Sequence, residues 1–252
     1  ISSSKLNLSY ILFLILFSVC FREIELAITQ GRVNGQPILL SGVALLMVGF
    51  AFKVGAAPFH MWAPDVYEGS PTPITAFLSV ASKAAGFAVV LRVFYMAFDN
   101  PIVSVEWSAI FAVLSALSMS VGNLIAVRQD NIKRLLAYST IAHAGYLMVG
   151  LAAVASRTTG NGDAIGPSGV LFYLGGYAAM NLAAFSVVIA VSNKLDSDKI
   201  DDFAGMGRRA PYLAAVLAFA LISLTGIPPT VGFMAKIYIF GAAVNSGLTG
   251  LV

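Results

Sequence analysis

Charge is scarce in this chain of 252 residues, with 15 Lys and Arg and 12 Asp and Glu making up 11% of it, where an ordinary soluble domain carries about a quarter. With 58% apolar residues and a mean hydropathy of +0.86, the deficit excludes an ordinary water-soluble domain. Cysteine is nearly absent: Cys20 stands alone in an apolar run, which rules out a disulfide framework and a spaced-thiolate cluster within the chain, and it reads as a small core residue. The net charge of +3 is scattered, with no basic run or stacking motif, so a nucleic-acid surface is not indicated. Phosphate-binding loops, dinucleotide fingerprints and the HExxH zinc pattern are missing as well, leaving no sequence support for nucleotide or metal binding. The chain opens on Ile1 rather than Met and lacks a small-residue cleavage site after its first apolar run, from which we expect that residues precede it.

Long apolar runs are what the sequence has instead. A helical span of a bilayer needs about 20 apolar residues, and seven stretches qualify: 6–26, 37–63, 72–98, 106–127, 132–155, 167–193 and 211–244. They are continuous rather than alternating, against a transmembrane β-barrel. The fold class expected is therefore all-α, a polytopic transmembrane protein with residues 1–252 forming a single membrane domain. The polar stretch 194–209 and the Gly-rich stretch 156–166 read as loops. Lys5, Arg128, Lys133, Arg134, Lys194, Lys199, Arg208 and Arg209 fall on one side of the alternation, against Arg22, Arg32 and Arg157 on the other. The first side is expected to be cytoplasmic.

Two spans are interrupted, 37–63 by Gly55-Ala56-Ala57-Pro58 and 211–244 by Gly226-Ile227-Pro228-Pro229. Proline removes a backbone donor and blocks the helix, so each span is expected to break or unwind near mid-depth. Freed backbone groups are tolerated only against protein or a wet cavity, which makes paired breaks a pointer to a transport site. The two spans lie five apart, and an odd offset inverts the second copy, as in an inverted repeat. The alternative is a packing kink. The Gly175-Gly176 pair reads as a site of close helix packing.

Lys53, Lys83 and Lys236 fall inside spans among apolar neighbours. A lysine at the centre of a membrane helix costs about 2.5–3.5 kcal/mol on insertion scales and normally faces a cavity or a partner. A relay of protons needs such groups, since a buried lysine can load and unload. The alternatives are snorkelling to an interface or a structural bond to a broken helix's carbonyls. Lys83, about 11 residues into its span, is the hardest to explain by snorkelling; Arg92, nearer that span's end, reads as snorkelling. His143, within Tyr138-Ser139-Thr140-Ile141-Ala142-His143-Ala144-Gly145-Tyr146, is a proton shuttle or a neutral core residue bonded to a neighbouring helix. The hydroxyls around it carry a water chain or glue helices. His60, near Asp65 and Glu68 in sequence, is placed toward the cytoplasmic mouth with its role open.

The run Lys53-Val54-Gly55-Ala56-Ala57-Pro58-Phe59-His60-Met61-Trp62-Ala63-Pro64-Asp65-Val66-Tyr67-Glu68-Gly69 resembles the signature of the antiporter-like membrane-subunit family of respiratory complex I, in the form carried by its subunit-N (subunit 2) branch. Gln129-Asp130-Asn131-Ile132-Lys133-Arg134-Leu135-Leu136-Ala137-Tyr138-Ser139 and Gly226-Ile227-Pro228-Pro229-Thr230-Val231-Gly232-Phe233-Met234-Ala235-Lys236 are similar to two further family segments, in the family's order. The resemblance implies an inverted-repeat antiporter-like fold in which the seven spans are the family's sixth to twelfth helices. It implies that Lys53 corresponds to the central lysine of an input half-channel, Lys83 to a connecting lysine and Lys236 to a terminal lysine. The family's glutamate partner for the first lysine lies on a helix this sequence does not contain. The resemblance further implies a non-redox subunit of a proton-translocating NADH:quinone oxidoreductase in a bacterial inner membrane, or an organellar inner membrane. No cofactor is expected in this chain; NADH, FMN, Fe–S clusters and quinone belong to partner subunits, and its neighbours are other antiporter-like and small membrane subunits. Rival readings are a subunit of a Na⁺/H⁺ antiporter complex and a membrane scaffold with structural lysines.

Overall fold

The computed structural model describes residues 21–26, 28, 36–98, 101–153 and 165–252. Lys5, Cys20, Arg32, Arg157, most of the first expected span and most of the Gly-rich connection lie outside the described residues. Among those described, the regular elements are all helical, and the isolated β-bridge is a single pairing of Asn131 with Lys199.

In chain order the helices are α1 (Gln36–Val54), α2 (Trp62–Gly69) and α3 (Thr72–Phe77), which runs through a π turn (Leu78–Ser82) into α4 (Lys83–Arg92) and a second π turn (Val93–Ala97). Then come α5 (Pro101–Ala126), α6 (Ile132–Ala152) and α7 (Ile165–Leu195), a 3₁₀ turn (Ile200–Phe203), α8 (Met206–Arg209), α9 (Pro211–Thr225) and α10 (Val231–Asn245). Thr72–Ala97, Val103–Ala126, Ile132–Ala152 and Gly166–Leu195 are long and apolar enough to cross a membrane; Leu39–Val54, Pro211–Thr225 and Val231–Asn245 are apolar but shorter. Helix α5 is already helical at Pro101, five residues before the expected 106.

Two helices end at the Gly/Pro clusters singled out in the sequence. Helix α1 stops before Gly55, whose φ is +71°, and α9 is capped by Gly226 at +84°, a region that costs any residue with a Cβ. The helical run resumes at Trp62 in the first case and at Val231 in the second.

Helix α6 is the axis of the bundle: 78% of its most apolar stretch is buried. It starts at Asn131, whose side-chain oxygen accepts from the Lys133 and Arg134 amides, satisfying two of the donors a helix start leaves free. Helix α5 lies directly against it because two glycines remove the obstacle. A Cβ on Gly122 would sit 2.6 Å from the Ala142 nitrogen, and one on Gly145 would sit 2.8 Å from the Met119 nitrogen. Small residues let membrane helices approach to backbone contact in this way. Of the Gly175-Gly176 pair only Gly176 is a packing site, 2.7 Å from Val231 on α10 by the same measure, whereas Gly175 faces open space.

The first turn of α6 engages the two cations Lys133 and Arg134 in ion pairs. Lys133 is buried and pairs with Asp198 at 2.8 Å; Arg134 meets Asp65 at 3.0 Å and Glu68 at 2.7 Å. Backbone bonds from Ile132 to Asp198 and from Ile200 to Asp130 tie the 196–200 segment to the same turn. Polar groups at a helix start attract partners from any segment in reach, which loop composition does not reveal.

Candidate functional site

The three lysines occupy unequal environments. Lys83 is 4% exposed, at the first position of α4 directly after a π turn. Its ammonium donates to the Thr140 carbonyl on α6 and stands 5.9 Å from the centre of the Tyr177 ring on α7. Lys236 is half-buried on α10. Its ammonium donates to the Thr225 carbonyl at 2.8 Å and to that of Leu224 at 3.4 Å, and lies 4.5 Å from the Tyr146 ring centre. Those carbonyls end α9, where the helix dipole favours a cation, so the structural bond considered for this lysine is present.

Lys53 departs from the expectation of a buried lysine. It is exposed among the described residues, because α1 turns Val43, Met47, Ala51 and Val54 inward and Lys53 lies off that face. Its stem still reaches α4: Cγ lies 3.7 Å from the position a Cβ on Gly86 would take. Lys53 and Lys83 then line one narrow crevice with Gly55, Tyr67, Ser82 and Thr140, of about 10 Å³, near the least a single water needs.

From Lys83 a file of polar groups crosses the bundle. The Thr140 hydroxyl is 3.0 Å from that of Tyr177, and the Tyr177 ring lies 5.2 Å from His143, centre to centre. His143 is 4% exposed, and its Nδ1 is 2.5 Å from the Tyr173 hydroxyl. On its other side is a cavity of about 480 Å³ lined by Asn123, Ser139, His143, Tyr146, Thr225 and Lys236 together with apolar side chains. Lys236 lines this cavity together with His143, and Lys83 reaches Thr140, three residues before His143 on α6. Both readings of His143 thus have a basis: a bond to a neighbouring helix, and a place between two lysines.

His60 is 7% exposed, faces Tyr138 with ring centres 6.4 Å apart, and has no hydrogen-bond partner for Nδ1 among the described residues. Asp65 and Glu68, its neighbours in sequence, turn instead to Arg134. At the first break the Ala57 amide, which no turn of helix can satisfy, donates to the Ser118 hydroxyl of α5 at 2.9 Å. Ser118, Tyr173, Tyr177 and Asn181 escaped the sequence reading. The last three carried a usable signal, since polar residues four apart on an apolar span share one face.

A family model described as NADH:quinone oxidoreductase/Mrp antiporter, TM, matches residues 1–252. NADH-quinone oxidoreductase subunit N of Trichlorobacter lovleyi is 48% identical over 226 residues, covering 89% of this chain and 44% of that protein. The chain thus spans less than half the length of that curated relative. A chain of respiratory complex I from Thermus thermophilus is 35% identical with a TM-score of 0.68, over 97% of this chain and 53% of that one. A chain of the Mrp complex from Dietzia sp. DQ12-45-1b, 22% identical with a TM-score of 0.77 over 94% of this chain and 44% of that one, shares the fold.

Proposed function

Because the chain belongs to the NADH:quinone oxidoreductase/Mrp antiporter transmembrane family, we propose that it is the proton-conducting portion of a subunit-N-type membrane subunit of a respiratory NADH:quinone oxidoreductase. The observation that carries this reading is the polar file from Lys83 through Thr140, Tyr177 and His143 to the cavity at Lys236, in which two buried ionisable side chains and the third lysine follow one another. Groups that cost this much in a membrane are retained where they conduct.

In this reading α1–α2 and α9–α10 are the corresponding interrupted helices of an inverted repeat within a single membrane domain. Lys53, Lys83 and Lys236 take up and release protons in turn, with His143 between the last two. Water in the crevice and in the larger cavity bridges what side chains do not reach. Repulsion between neighbouring charged groups helps to expel a proton, and it weakens with distance and hydration, which favours short steps. Electron transfer from NADH to quinone through FMN and Fe–S clusters takes place in partner subunits. The protein is at home in a bacterial inner membrane among other antiporter-like and small membrane subunits.

The test is proton pumping and quinone reduction measured side by side in the assembled parent complex. Lys83→Ala and Lys236→Ala are each expected to cut pumping about 10²-fold or more, the range a positioned acid–base group contributes. Full pumping in both variants would sink the reading. Na⁺-dependent pH changes in vesicles, without quinone chemistry, would point instead to a cation/proton antiporter subunit.

A further inference from the structure

Lys83 owes its direction to an irregularity. The segment that carries it is regular α-helix in α3 and again in α4, with the π turn Leu78–Ser82 between them. A π turn takes in one residue more than an α turn, and each residue turns a helix by about 100°. Everything after the insertion, Lys83 first, therefore faces a direction that a continuous α-helix would not give it.

The turn is held from outside. Ser79, fully buried, donates its hydroxyl to the Ala76 carbonyl at 2.8 Å and accepts from Asn181 Nδ2 at 2.8 Å. Asn181 is 1% exposed on α7, and the same amide nitrogen donates to the Tyr177 hydroxyl at 3.1 Å. One amide thus holds both the turn that aims Lys83 and the tyrosine that Lys83 faces. The Tyr177 hydroxyl also shares a hydrogen bond with that of Thr140, whose main-chain carbonyl receives Lys83. An amide carries no exchangeable charge, so a relay gives it no step to perform. Burying it in an apolar helix costs free energy unless its bonds are made. Those its Nδ2 makes among the described residues are to these two hydroxyls.

We propose that Asn181 is a positioning residue: it locks the π turn Leu78–Ser82 and so holds Lys83 toward Thr140 and Tyr177. The proposal rests on the proton-conducting reading and adds to it a residue that carries no proton.

The experiment uses the assembled parent complex in vesicles, reading protons pumped per quinone reduced and the pH profile of pumping. Asn181→Leu removes both bonds at similar volume, and Ser79→Ala removes one of them from the other side. Each is expected to lower the pumping ratio about fivefold, the factor a net hydrogen bond is worth. The double variant should be no worse than the poorer single one, since the two residues share one interaction. Asn181→Gln, which keeps the donors, should restore part of the ratio, and the pH profile should move in Asn181→Leu but not in the rescued form. If Asn181→Leu does not assemble, Ser79→Ala reads the same bond with the loss of a single oxygen. An unchanged ratio and pH profile in Ser79→Ala, or losses that add in the double variant, would overturn the proposal. Lys83→Ala in the same vesicles separates the levels: if it abolishes pumping while Asn181→Leu and Ser79→Ala do not reduce it, only the positioning role falls. If Lys83→Ala pumps fully, the relay falls and the positioning role with it.

Discussion

A membrane interior makes each polar atom expensive, so the informative residues are those whose bonds are made by something remote in sequence. Ser118 is the clearest. It and Ala57 are both buried, and Ser118→Ala would leave the Ala57 N–H without its acceptor, at a cost of about 1–3 kcal/mol. We expect a lower thermal unfolding midpoint for the purified complex, and an unchanged midpoint would mean that the break is satisfied otherwise. Nothing in the sequence marks this serine, because serine is common on membrane helices as interhelical glue and its partner is 61 residues away. The lysines and breaks were legible for the opposite reason: a lysine, or a Gly/Pro cluster, in an apolar run is an anomaly that local cost alone detects. Which face Lys53 occupies was not legible, since exposure depends on which helices cover α1. The column Tyr173, Tyr177 and Asn181 was legible by spacing, and it went unread because hydroxyl-bearing side chains in a span do not stand out as ionisable ones do.

At the level of elements, glycine decides how closely helices meet. Gly232, near the start of α10, is the most constrained: a Cβ there would lie 1.8 Å from the Ser223 carbonyl oxygen on α9. Gly232→Ala must push α10 off the end of α9, and overpacking of this kind costs about 1–3 kcal/mol or more. Gly175→Ala is the matched control, since the added methyl meets nothing within 4 Å and alanine is the better helix former by up to about 1 kcal/mol. Comparing the yield of assembled complex should give a loss for the first and none for the second; equal yields would refute the contact. Helix existence was readable from apolar run length. Helix ends were less so: α6 stops at Ala152, short of the expected 155.

For the molecule as a whole, the start of α6 joins regions that sequence keeps apart. Arg134 reaches α2, just past the first break, and Lys133 and Ile132 reach the segment that leads into α9 and the second break. Partly exposed ion pairs contribute only about 0–1 kcal/mol each, so Arg134→Gln is expected to leave global stability nearly unchanged while freeing α2. Hydrogen exchange should quicken across residues 62–69 and not in α5. Exchanging the charges, Arg134→Glu with Glu68→Arg, should restore protection; failure of the exchange to rescue it would assign the effect to something other than the pair.

The bond between Ala57 and Ser118 also limits what kind of machine this is. For α1 to wind on as a continuous helix, the Ala57 amide would have to return to the Lys53 carbonyl, four residues back, and abandon the serine that now holds it. The next residue, Pro58, has no amide to offer in exchange. A backbone pinned in this manner does not serve as a rocker that zips and unzips with each turnover. Under the proposed proton conduction it is the fixed housing of a wire, within which the moving parts are hydrogens, hydroxyl rotors and the tips of long side chains.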